Sequence, residues 1–434
     1  MVLELNGVKM KRCLLLVMVL SLAVSVIGCT GDSVFIIRSP YGNVNWDTWG
    51  RYSAALHTHT TNSDGSNSML EVVDRHFELG FDILAITDHV WRGPGGVRDL
   101  MNLVARCWTQ TAWPDDRPGF PPVQLSHITQ ERLNEVLMGV GRGDRGMLMI
   151  PGTAELALGN TEEANVLFFD GNAPRAWAPP GDTLRGGIQI AYNDDALVFI
   201  NHPGRTPLYG ATAMSYPVGY IYSPNNPSND SRRVQHFVNL FMEFPIASLV
   251  GMEVFNRRDG DSRHDRVLWD NILTQTIPAG RFVWGFANDD SHSNSPTSSS
   301  SIDTSRNIFL MPSNTLPNFR NAMVSGSFYM VTRVARNEGV GLGTDGQALT
   351  GVFPSISRIT VDPAADTITI VAQNATRIVW ISEGRTILET TGASSTIRLA
   401  HRDIIDNVGV YVRANIFNGT EGIALTQPIG IRRR

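Results

Sequence analysis

From residue 51 onward the chain alternates between short apolar runs and abrupt polar breaks. Six runs of strand length, apolar almost throughout, each lead to a histidine, a carboxylate or an asparagine: residues 52–56, 81–86, 146–150, 196–200, 249–252 and 282–287. Such runs are typical of strands buried on both faces, as in a parallel sheet. Between the first two runs, Ser68 and Glu71 form a capping-box sequence that predicts a helix as far as Leu79.

Strands that alternate with helices in this way predict an α/β fold with a parallel barrel. In such a barrel the carboxyl ends of the strands meet at one face, where side chains distant in sequence become neighbours. The polar residues that end the six runs are therefore expected to converge.

The residue types at the strand ends indicate metal chemistry. His57 and His59 lie two apart on an extended segment, so both point the same way and can bind one ion. A mixed set of His, Asp and Glu without cysteine favours Zn, Mn or Fe over a closed structural zinc site. A bridging carboxylate such as Glu155 can hold two ions about 3.5–4 Å apart. His76, His127, His236 and His401 are expected to be ordinary core or surface residues.

Six segments together resemble the motifs of one family. In order they are LHTHTTNSDG, LAITDH, PGTAE, INHPGR, GMEVFN and NDDSH. They resemble the PHP (polymerase and histidinol phosphatase) superfamily, and most of all its exported branch that includes carbamate hydrolases. The resemblance covers residues 51–335. It implies a distorted (β/α)₇ barrel, two or three divalent metal ions and hydrolysis of phosphate esters.

The resemblance also implies a ligand set. It assigns a first site to His57, His59, Glu155 and Asp290. Glu155 would bridge to a second site completed by His202, and a third site would consist of Asp64, His89 and His292. Asp88 is expected to support a ligand instead of binding metal itself.

This sequence departs from the family pattern at one ligand. Where the family supplies a further histidine after Glu155, the chain offers Glu163 or Asn165. A carboxylate at Glu163 can still bind metal, whereas Asn165 would be a poor substitute. The second site is therefore expected to be altered, weak or selective for a harder ion.

Phosphate binding also requires cationic side chains. Arg205 follows His202 at a strand end and is the first candidate to hold a substrate oxygen. Arg92, Arg257 and Arg258 are weaker candidates. His264 is a candidate proton donor to a leaving group, although it lies in a charged stretch typical of a solvent-facing segment.

Beyond the barrel the chain changes character. Residues 336–355 are glycine-rich and are interpreted as a linker; their GxGxxG spacing follows no strand and precedes no helix, so it is not taken as a dinucleotide site. Residues 356–434 alternate polar and apolar positions, which predicts a small all-β, sandwich-like domain. Its expected role is docking or stabilisation, with glycan binding as the alternative.

The N-terminus has the pattern of a targeting signal. Residues 13–28 are apolar or small after a short basic start, which suits a signal peptide and is too short for a bilayer span. The run ends at Cys29, as in a bacterial lipobox. We therefore expect a lipoprotein signal at 1–28, a tether at 29–50, and an exported protein that a lipid on Cys29 anchors to the membrane of the bacterial cell envelope. An ordinary secretory signal is the alternative.

Composition excludes other classes. The 434 residues are 42% hydrophobic and 18% charged, which is typical of a globular chain. The net charge of −5 gives no basic excess, so binding to a nucleic-acid backbone is not expected.

Three functional hypotheses follow. The first is a phosphoesterase that acts on a small-molecule phosphate ester through a metal-bound hydroxide in a di- or trinuclear site. The second keeps the same site but cleaves a carbamate, ester or amide. The third is a non-catalytic surface protein used for binding or scaffolding, which only the departure at Glu163/Asn165 supports.

Overall fold

The computed structural model of the chain describes residues 33–90, 108–113, 121–157, 162–169, 184–205, 231–260 and 262–434. Within them the chain forms a mixed α/β structure. The α-helices are α1 Met69–Glu78, α2 Gln130–Met138, α3 Leu184–Asn193, α4 Ser231–Glu243, α5 Asp265–Thr276 and α6 Leu316–Ser325. Short 3-10 turns occur at Pro203–Arg205, Ile277–Ala279, Arg336–Glu338 and Ile405–Asn407.

The strands are numbered in chain order. Those up to residue 332 are β1 Phe35–Arg38, β2 Gly50–Ala55, β3 Ile83–Leu84, β4 His89–Val90, β5 Ala112–Trp113, β6 Val123–Gln124, β7 Leu148–Met149, β8 Ala154–Ala157, β9 Glu163–Leu167, β10 Leu197–Ile200, β11 Leu249–Asn256, β12 Trp284–Asn288, β13 Ser305–Met311 and β14 Phe328–Thr332. The remaining strands are β15 Ser355–Asp362, β16 Thr367–Gln373, β17 Arg377–Ser382, β18 Arg385–Thr391, β19 Ser394–Arg398, β20 Tyr411–Asn418, β21 Gly422–Leu425 and β22 Ile429–Arg433.

Two sheets carry the strands whose ends were predicted to converge. One contains the parallel series β2-β3-β7, and the other runs in the order β12-β11-β10-β9-β8-β4. Strands of both sheets pack a common core of large side chains, which includes Leu56, Ile83, Phe199 and Phe286. Helices α1 to α5 cover the outside with apolar faces. The predicted α/β class is confirmed.

The second sheet is not entirely parallel. Strand β9 runs antiparallel to both β8 and β10, while β10, β11 and β12 run parallel to one another. In the register of this hairpin Asn165 lies opposite Glu155, and Glu163 lies opposite Ala157. The described strands do not define a closed seven-stranded barrel, so that finer architecture stays a prediction.

The ends of β2 and β12 join the two sheets. Thr58 and Ser291 form a parallel bridge, and the His59 backbone N–H donates to the Ser291 carbonyl at 2.9 Å. This contact brings the residues that follow β2 against those that follow β12. The convergence predicted for these two strand ends is present.

Helix α1 begins as its sequence predicts. The Ser68 hydroxyl accepts from the Glu71 backbone N–H, and the Glu71 carboxylate accepts from the Ser68 backbone N–H at 2.7 Å. This reciprocal pair satisfies two N–H groups that a helix start leaves without intrahelical partners. The predicted capping box is confirmed.

The C-terminal strands form a second apolar core and also extend the first sheet. A three-stranded sheet, β15-β16-β19, packs its isoleucines against Trp380 and Ile416 of the larger sheet. Strand β21 pairs antiparallel with β14, and β1 pairs with β22. The segment predicted as a tether therefore contains a strand of this sheet, and the larger sheet continues across the predicted linker.

A buried ionic group fixes helix α5 to the C-terminal strands. The Asp270 carboxylate accepts from the Tyr411 hydroxyl at 2.6 Å and from two nitrogens of Arg413 at 2.8 Å. All three side chains are buried. Breaking a buried pair leaves an uncompensated charge, which generally costs about 3–5 kcal/mol. This contact therefore fixes how the C-terminal strands meet the helix.

Among the described helices, none combines the length and the apolar character that a bilayer crossing requires. Cys29 and the predicted signal peptide lie outside the described residues.

Candidate metal centre

Two histidines that follow strand β2 form the buried floor of the centre. The Nε2 atom of His57 lies 3.1 Å from Glu155 Oε2 and 3.3 Å from Asp290 Oδ1. The Nε2 atom of His59 lies 3.2 Å from each of the same two oxygens. Within the described residues neither nitrogen makes a hydrogen bond of ordinary geometry, although both are fully buried.

These distances fit a shared cation. Ligand atoms about 2.0–2.2 Å from one ion lie roughly 3.0–3.4 Å from each other in octahedral or tetrahedral shells. A buried imidazole nitrogen without a hydrogen-bond partner is costly, and an ion at this position would satisfy both nitrogens. The first predicted set, His57, His59, Glu155 and Asp290, is thus brought together with the spacing of a metal site.

A second group lies beside the first and is more open. Asp64, His89 and His292 gather around His59, with Asp64 Oδ2 3.2 Å from His292 Nε2 and 3.6 Å from His89 Nε2. The Asp64 side chain is 42% exposed, whereas those of the first group are at most 2% exposed. The predicted third set is therefore brought together at the rim of the centre.

The two oxygens of Glu155 face different neighbours. Its Oε2 atom lies 3.1–3.2 Å from nitrogens of His57, His59 and His89. Its Oε1 atom lies 3.4 Å from His202 Nε2 and accepts from the Asn201 side-chain amide at 2.6 Å. The position predicted for a bridging carboxylate is thus occupied by a carboxylate with imidazoles on both sides.

The structure distinguishes between Glu163 and Asn165. The Glu163 carboxylate reaches the centre, with Oε2 3.3 Å from His202 Nε2. The Asn165 amide instead donates to the Leu56 carbonyl at 3.0 Å and accepts from Asn201 at 2.9 Å. Glu163 therefore occupies the site that the sequence left open between them, and Asn165 supports the surrounding backbone and side chains.

A buried carboxylate that the sequence analysis did not assign lies behind the centre. Glu253 on β11 accepts from His57 Nδ1 at 2.8 Å, from the His202 backbone N–H at 2.9 Å and from the amides of Asn256 and Asn288 at 2.9 and 2.8 Å. The bond to Nδ1 directs Nε2 of His57 toward Glu155 and Asp290. The only signal for this role in the sequence was the position of Glu253 after an apolar run.

Asp88 holds the loop that delivers Asp64. It accepts from the Thr60 backbone N–H and hydroxyl, both at 2.7 Å, and from the Ser63 hydroxyl at 2.6 Å. Gly65 completes this turn, because a Cβ there would lie 2.6 Å from the carbonyl carbon of His59. Asp88 thus supports the ligand loop, in the manner the sequence led us to expect.

Three residues of the centre have positive φ values that non-glycine residues rarely adopt. They are His202 at 23°, Arg257 at 52° and Asp290 at 45°. Such conformations are strained and persist where surrounding contacts impose them, often at functional sites. Here the Arg257 guanidinium donates to Asp290 Oδ2 at 2.9 Å, so two of the strained residues hold each other in place.

The remaining cationic candidates have different surroundings. Arg258 is buried and donates to the carbonyls of Pro296, Thr344 and Gln347, which ties the glycine-rich segment to the centre and indicates a structural role. The backbone of Arg205 lies in a 3-10 turn, but its side chain is outside the described structure, as is Arg92. His264 precedes α5 and makes no side-chain cap there, so its catalytic role stays a prediction.

Mutual charge shifts the ionisation of the buried groups. Burial disfavours the charged form of His59, but Asp290 and Glu155 outweigh it and raise the pKa of the imidazole to about 9. The same two carboxylates and Glu253 hold the pKa of His57 well above its ordinary value against the effect of burial. Burial alone would raise the pKa of Glu155 and Asp290, yet the histidines hold both well below the ordinary range. In the metal-free centre these shifts of the pKa favour the charged forms of His57, His59, Glu155 and Asp290, whereas burial lowers the pKa of His89.

The fold and the site together define a mixed α/β protein with a buried histidine–carboxylate cluster that could hold several metal ions. No protein-family model matches the chain. No curated protein matches it either.

The chain is similar to several solved structures. One is a two-domain protein from Bacteroides vulgatus that contains a predicted PHP-like metal-dependent phosphoesterase, with 13% identity, a TM-score of 0.42, and coverage of 88% of this chain and 96% of that one. Another, a protein from Bifidobacterium adolescentis whose activity as a metal-dependent phosphoesterase is only inferred, has 12% identity, a TM-score of 0.31 and coverage of 55% and 87%. A third is the lesion-specific endonuclease EndoQ of Pyrococcus furiosus, with 13% identity, a TM-score of 0.33 and coverage of 63% and 56%.

The support that Glu253 gives to His57 can be tested by substitution. We expect Glu253→Gln to weaken metal binding roughly 10–100-fold, because the His57 ring loses its carboxylate partner. The measurement is competition with a chromogenic chelator. Glu243→Gln is the matched control, since Glu243 pairs with Arg185 on the surface away from the centre. Equal affinities in Glu253→Gln and the wild type would contradict the assignment.

The ion pairs of the metal-free centre also predict a pH dependence. With a pKa of about 9 against an ordinary 6.5, His59 stabilises the metal-free fold fully below pH 6.5, and this contribution is lost as pH rises through 9. Metal binds the deprotonated imidazole, so added cation should increase the free energy of unfolding more at pH 9 than at pH 6.5. Urea unfolding with excess metal or excess chelator measures the difference. If the metal-induced increase in the free energy of unfolding were the same at both pH values, this account would be contradicted.

Proposed function

We propose that this chain is a metal-dependent hydrolase of the PHP superfamily and that its substrates are small-molecule phosphate esters. The observation that carries the proposal is the spacing of the buried donors. Nitrogens of His57 and His59 lie 3.1–3.3 Å from oxygens of Glu155 and Asp290, which is the spacing of ligands around one ion. The six motifs that resemble the superfamily contain these same residues.

The described side chains would hold two or three divalent ions, with Zn, Mn or Fe as candidates. His57, His59, Glu155 and Asp290 would form the buried position. Asp64, His89 and His292 would form the rim position, and Glu155, Glu163 and His202 the remaining one. Glu155 has an oxygen on each side and would be shared between positions.

Bound cations would lower the pKa of a coordinated water and neutralise charge that develops on the substrate oxygens. The protein would supply the rest of the chemistry. Glu253 and Asn201 fix His57 and Glu155 before substrate arrives, which limits the reorganisation required during reaction. Arg257 holds Asp290 in its strained conformation. We further propose that Arg205 binds a substrate oxygen and that His264 donates a proton to the leaving group.

The carboxylate of Glu163 weakens the hypothesis of a non-catalytic scaffold protein. That hypothesis depended on a missing ligand, yet a carboxylate lies at the corresponding place, 3.3 Å from His202. Nothing among the described ligand positions therefore favours a non-catalytic protein. Cleavage of a carbamate, ester or amide requires the same donors and is distinguished by assay.

The proposal is tested first by metal content and then by a substrate panel. We expect two or three equivalents of metal in the purified protein by elemental analysis, fewer in Asp290→Ala and in the milder Asp290→Asn, and parallel loss of hydrolysis, because both variants remove the charge shared by His57 and His59. Little metal bound after reconstitution would contradict the proposal. Turnover of carbonyl esters or carbamates far above that of phosphate mono- and diesters would replace the phosphoesterase with the alternative hydrolase.

We also propose that the protein is exported and anchored through a lipid on Cys29. The apolar segment that ends in this cysteine supports the proposal. We expect the wild-type protein in the membrane fraction with an intact mass that includes acyl chains on Cys29, and Cys29→Ala without that modification. A mature chain that begins after Cys29 would indicate an ordinary secretory signal instead.

A further inference from the structure

The sheet edge formed by β1 and β22 carries four exposed arginines. Strand β1 lies at the edge of the larger sheet, beside β22. Arg38 ends β1, and Arg432, Arg433 and Arg434 lie at or directly after the end of β22. Among the described residues, none of the four forms an ion pair with a carboxylate. Because a guanidinium stays charged at physiological pH, this edge presents positive charge to the solvent.

The register of the two strands places three of these arginines on one face. Ile36 lies opposite Arg432, and the Arg434 backbone N–H donates to the Val34 carbonyl at 2.9 Å. Side chains two apart on a strand share a face, so Arg38, Arg432 and Arg434 lie together with Val34 and Ile36. Val34 is 38% exposed. We term this surface the β1–β22 face; it combines arginines with apolar side chains, as elements that lie at a membrane interface do.

The carboxylates near this edge serve its other face. Ser33 and Arg433 alternate with the residues of the β1–β22 face and therefore point the opposite way. Ser33 donates to Asp366, which is buried, and Arg433 donates to a backbone carbonyl of residues 403–406, a segment with two exposed aspartates. Asp32 adds one carboxylate next to Ser33 in the sequence. The β1–β22 face thus keeps three arginines against one adjacent acid.

The start of β1 is fixed to the protein and is close in sequence to Cys29. The Asp366 carboxylate accepts from the Ser33 hydroxyl and from the Val34 backbone N–H, both at 2.8 Å. Only residues 30–32 separate Ser33 from Cys29. The four steps from Cys29 to Ser33 span at most about 14 Å even when the chain is fully extended. A lipid on Cys29 would therefore hold the β1–β22 face beside the headgroups of its membrane.

We propose that the β1–β22 face contacts anionic phospholipid headgroups and thereby orients the protein on the membrane. The proposal rests on the proposed lipid anchor and goes further by assigning a contact surface and the chemistry of its partner. Attraction to a charged surface falls off within a Debye length, about 8 Å at physiological ionic strength, so it acts on a face that is held this close. Charged side chains on an edge strand also block pairing with other chains, an alternative that the experiment distinguishes.

The test measures vesicle binding without the lipid. The chain from residue 30 onward keeps every described residue, and it is sedimented with vesicles of phosphatidylcholine alone or of phosphatidylcholine mixed with an equal amount of phosphatidylglycerol. The variants replace Arg432 and Arg434 together, by Gln or by Lys. The matched control is Arg75→Gln with Arg185→Gln, which removes the same charge from two arginines that pair with glutamates on helices. Circular dichroism and thermal melting establish that each variant is folded, and size-exclusion chromatography reports self-association.

Wild type, control and the Lys variant should bind the phosphatidylglycerol vesicles, more weakly as salt rises, and should not bind phosphatidylcholine alone. The Gln variant should bind about tenfold more weakly or worse, because one arginine near an anionic surface contributes about fivefold. Equal binding by the Gln variant and wild type, equal loss in the control, or no binding by wild type would overturn the inference. Self-association of the Gln variant with unchanged vesicle binding would assign the arginines to edge protection.

Two further measurements separate the sources of the result. Inorganic phosphate should release the protein from vesicles no better than chloride at equal ionic strength; stronger release would indicate an isolated anion site and overturn the membrane contact. The intact mass of the mature protein from cells reports the lipid on Cys29 independently. Vesicle binding without that lipid would overturn the anchor alone, whereas a lipidated protein whose β1–β22 face shows no binding would overturn the inference alone.

Discussion

The charge of Glu155 is the constraint on which the rest of the centre depends. A carboxylate with 1% of its side chain exposed is unfavourable unless charges and hydrogen bonds compensate for the lost water. Here compensation comes from His57, His59 and His89 at one oxygen and from Asn201 and His202 at the other. These residues follow or begin strands that are far apart in sequence. The strand ends must therefore meet, and the convergence of β2, β4, β8 and β10 is tied to one side chain.

The antiparallel hairpin of β8 and β9 shows how the fold serves this constraint. In a strand, residues two apart share a face, so Asn165 and Glu163 both point toward the side on which Glu155 lies. Asn165 is opposite Glu155 and is linked to it through the Asn201 amide, while Glu163 is nearer the strand end and reaches His202. The β8–β9 hairpin thus carries two candidate ligands, Glu155 and Glu163, together with the supporting residue Asn165. If β9 ran parallel to β8, the chain would need a long crossover connection between the two strands.

Much of this arrangement was predictable from the sequence, because the residues that end a strand directly follow its apolar run in the chain. Apolar runs followed by His, Asp or Glu identify both the elements and the side that carries the chemistry, and the capping box of α1 is visible in four residues. The choice between Glu163 and Asn165 was not predictable, since both lie on one face and only their hydrogen bonds distinguish them. Glu253 was missed for a related reason: a buried carboxylate behind a histidine has the same sequence signature as a ligand. The continuation of the first sheet into the C-terminal strands depends on pairing between distant segments, which no local pattern reveals.

The supports of the centre also distinguish a buried interior from an exposed rim. Glu253 binds both the His57 ring and the His202 backbone, so the buried donors and His202 share one anchor on β11. Asp64 instead depends on a surface loop held by Asp88, and it is 42% exposed. The proposed hydrolytic reaction would place two opposing requirements on the centre: donors that do not move as charge develops, and an edge that admits substrate and releases product. The shared anchor lies under the buried donors and a hydrogen-bonded surface turn lies under the exposed one, so a single set of strand ends would meet both requirements.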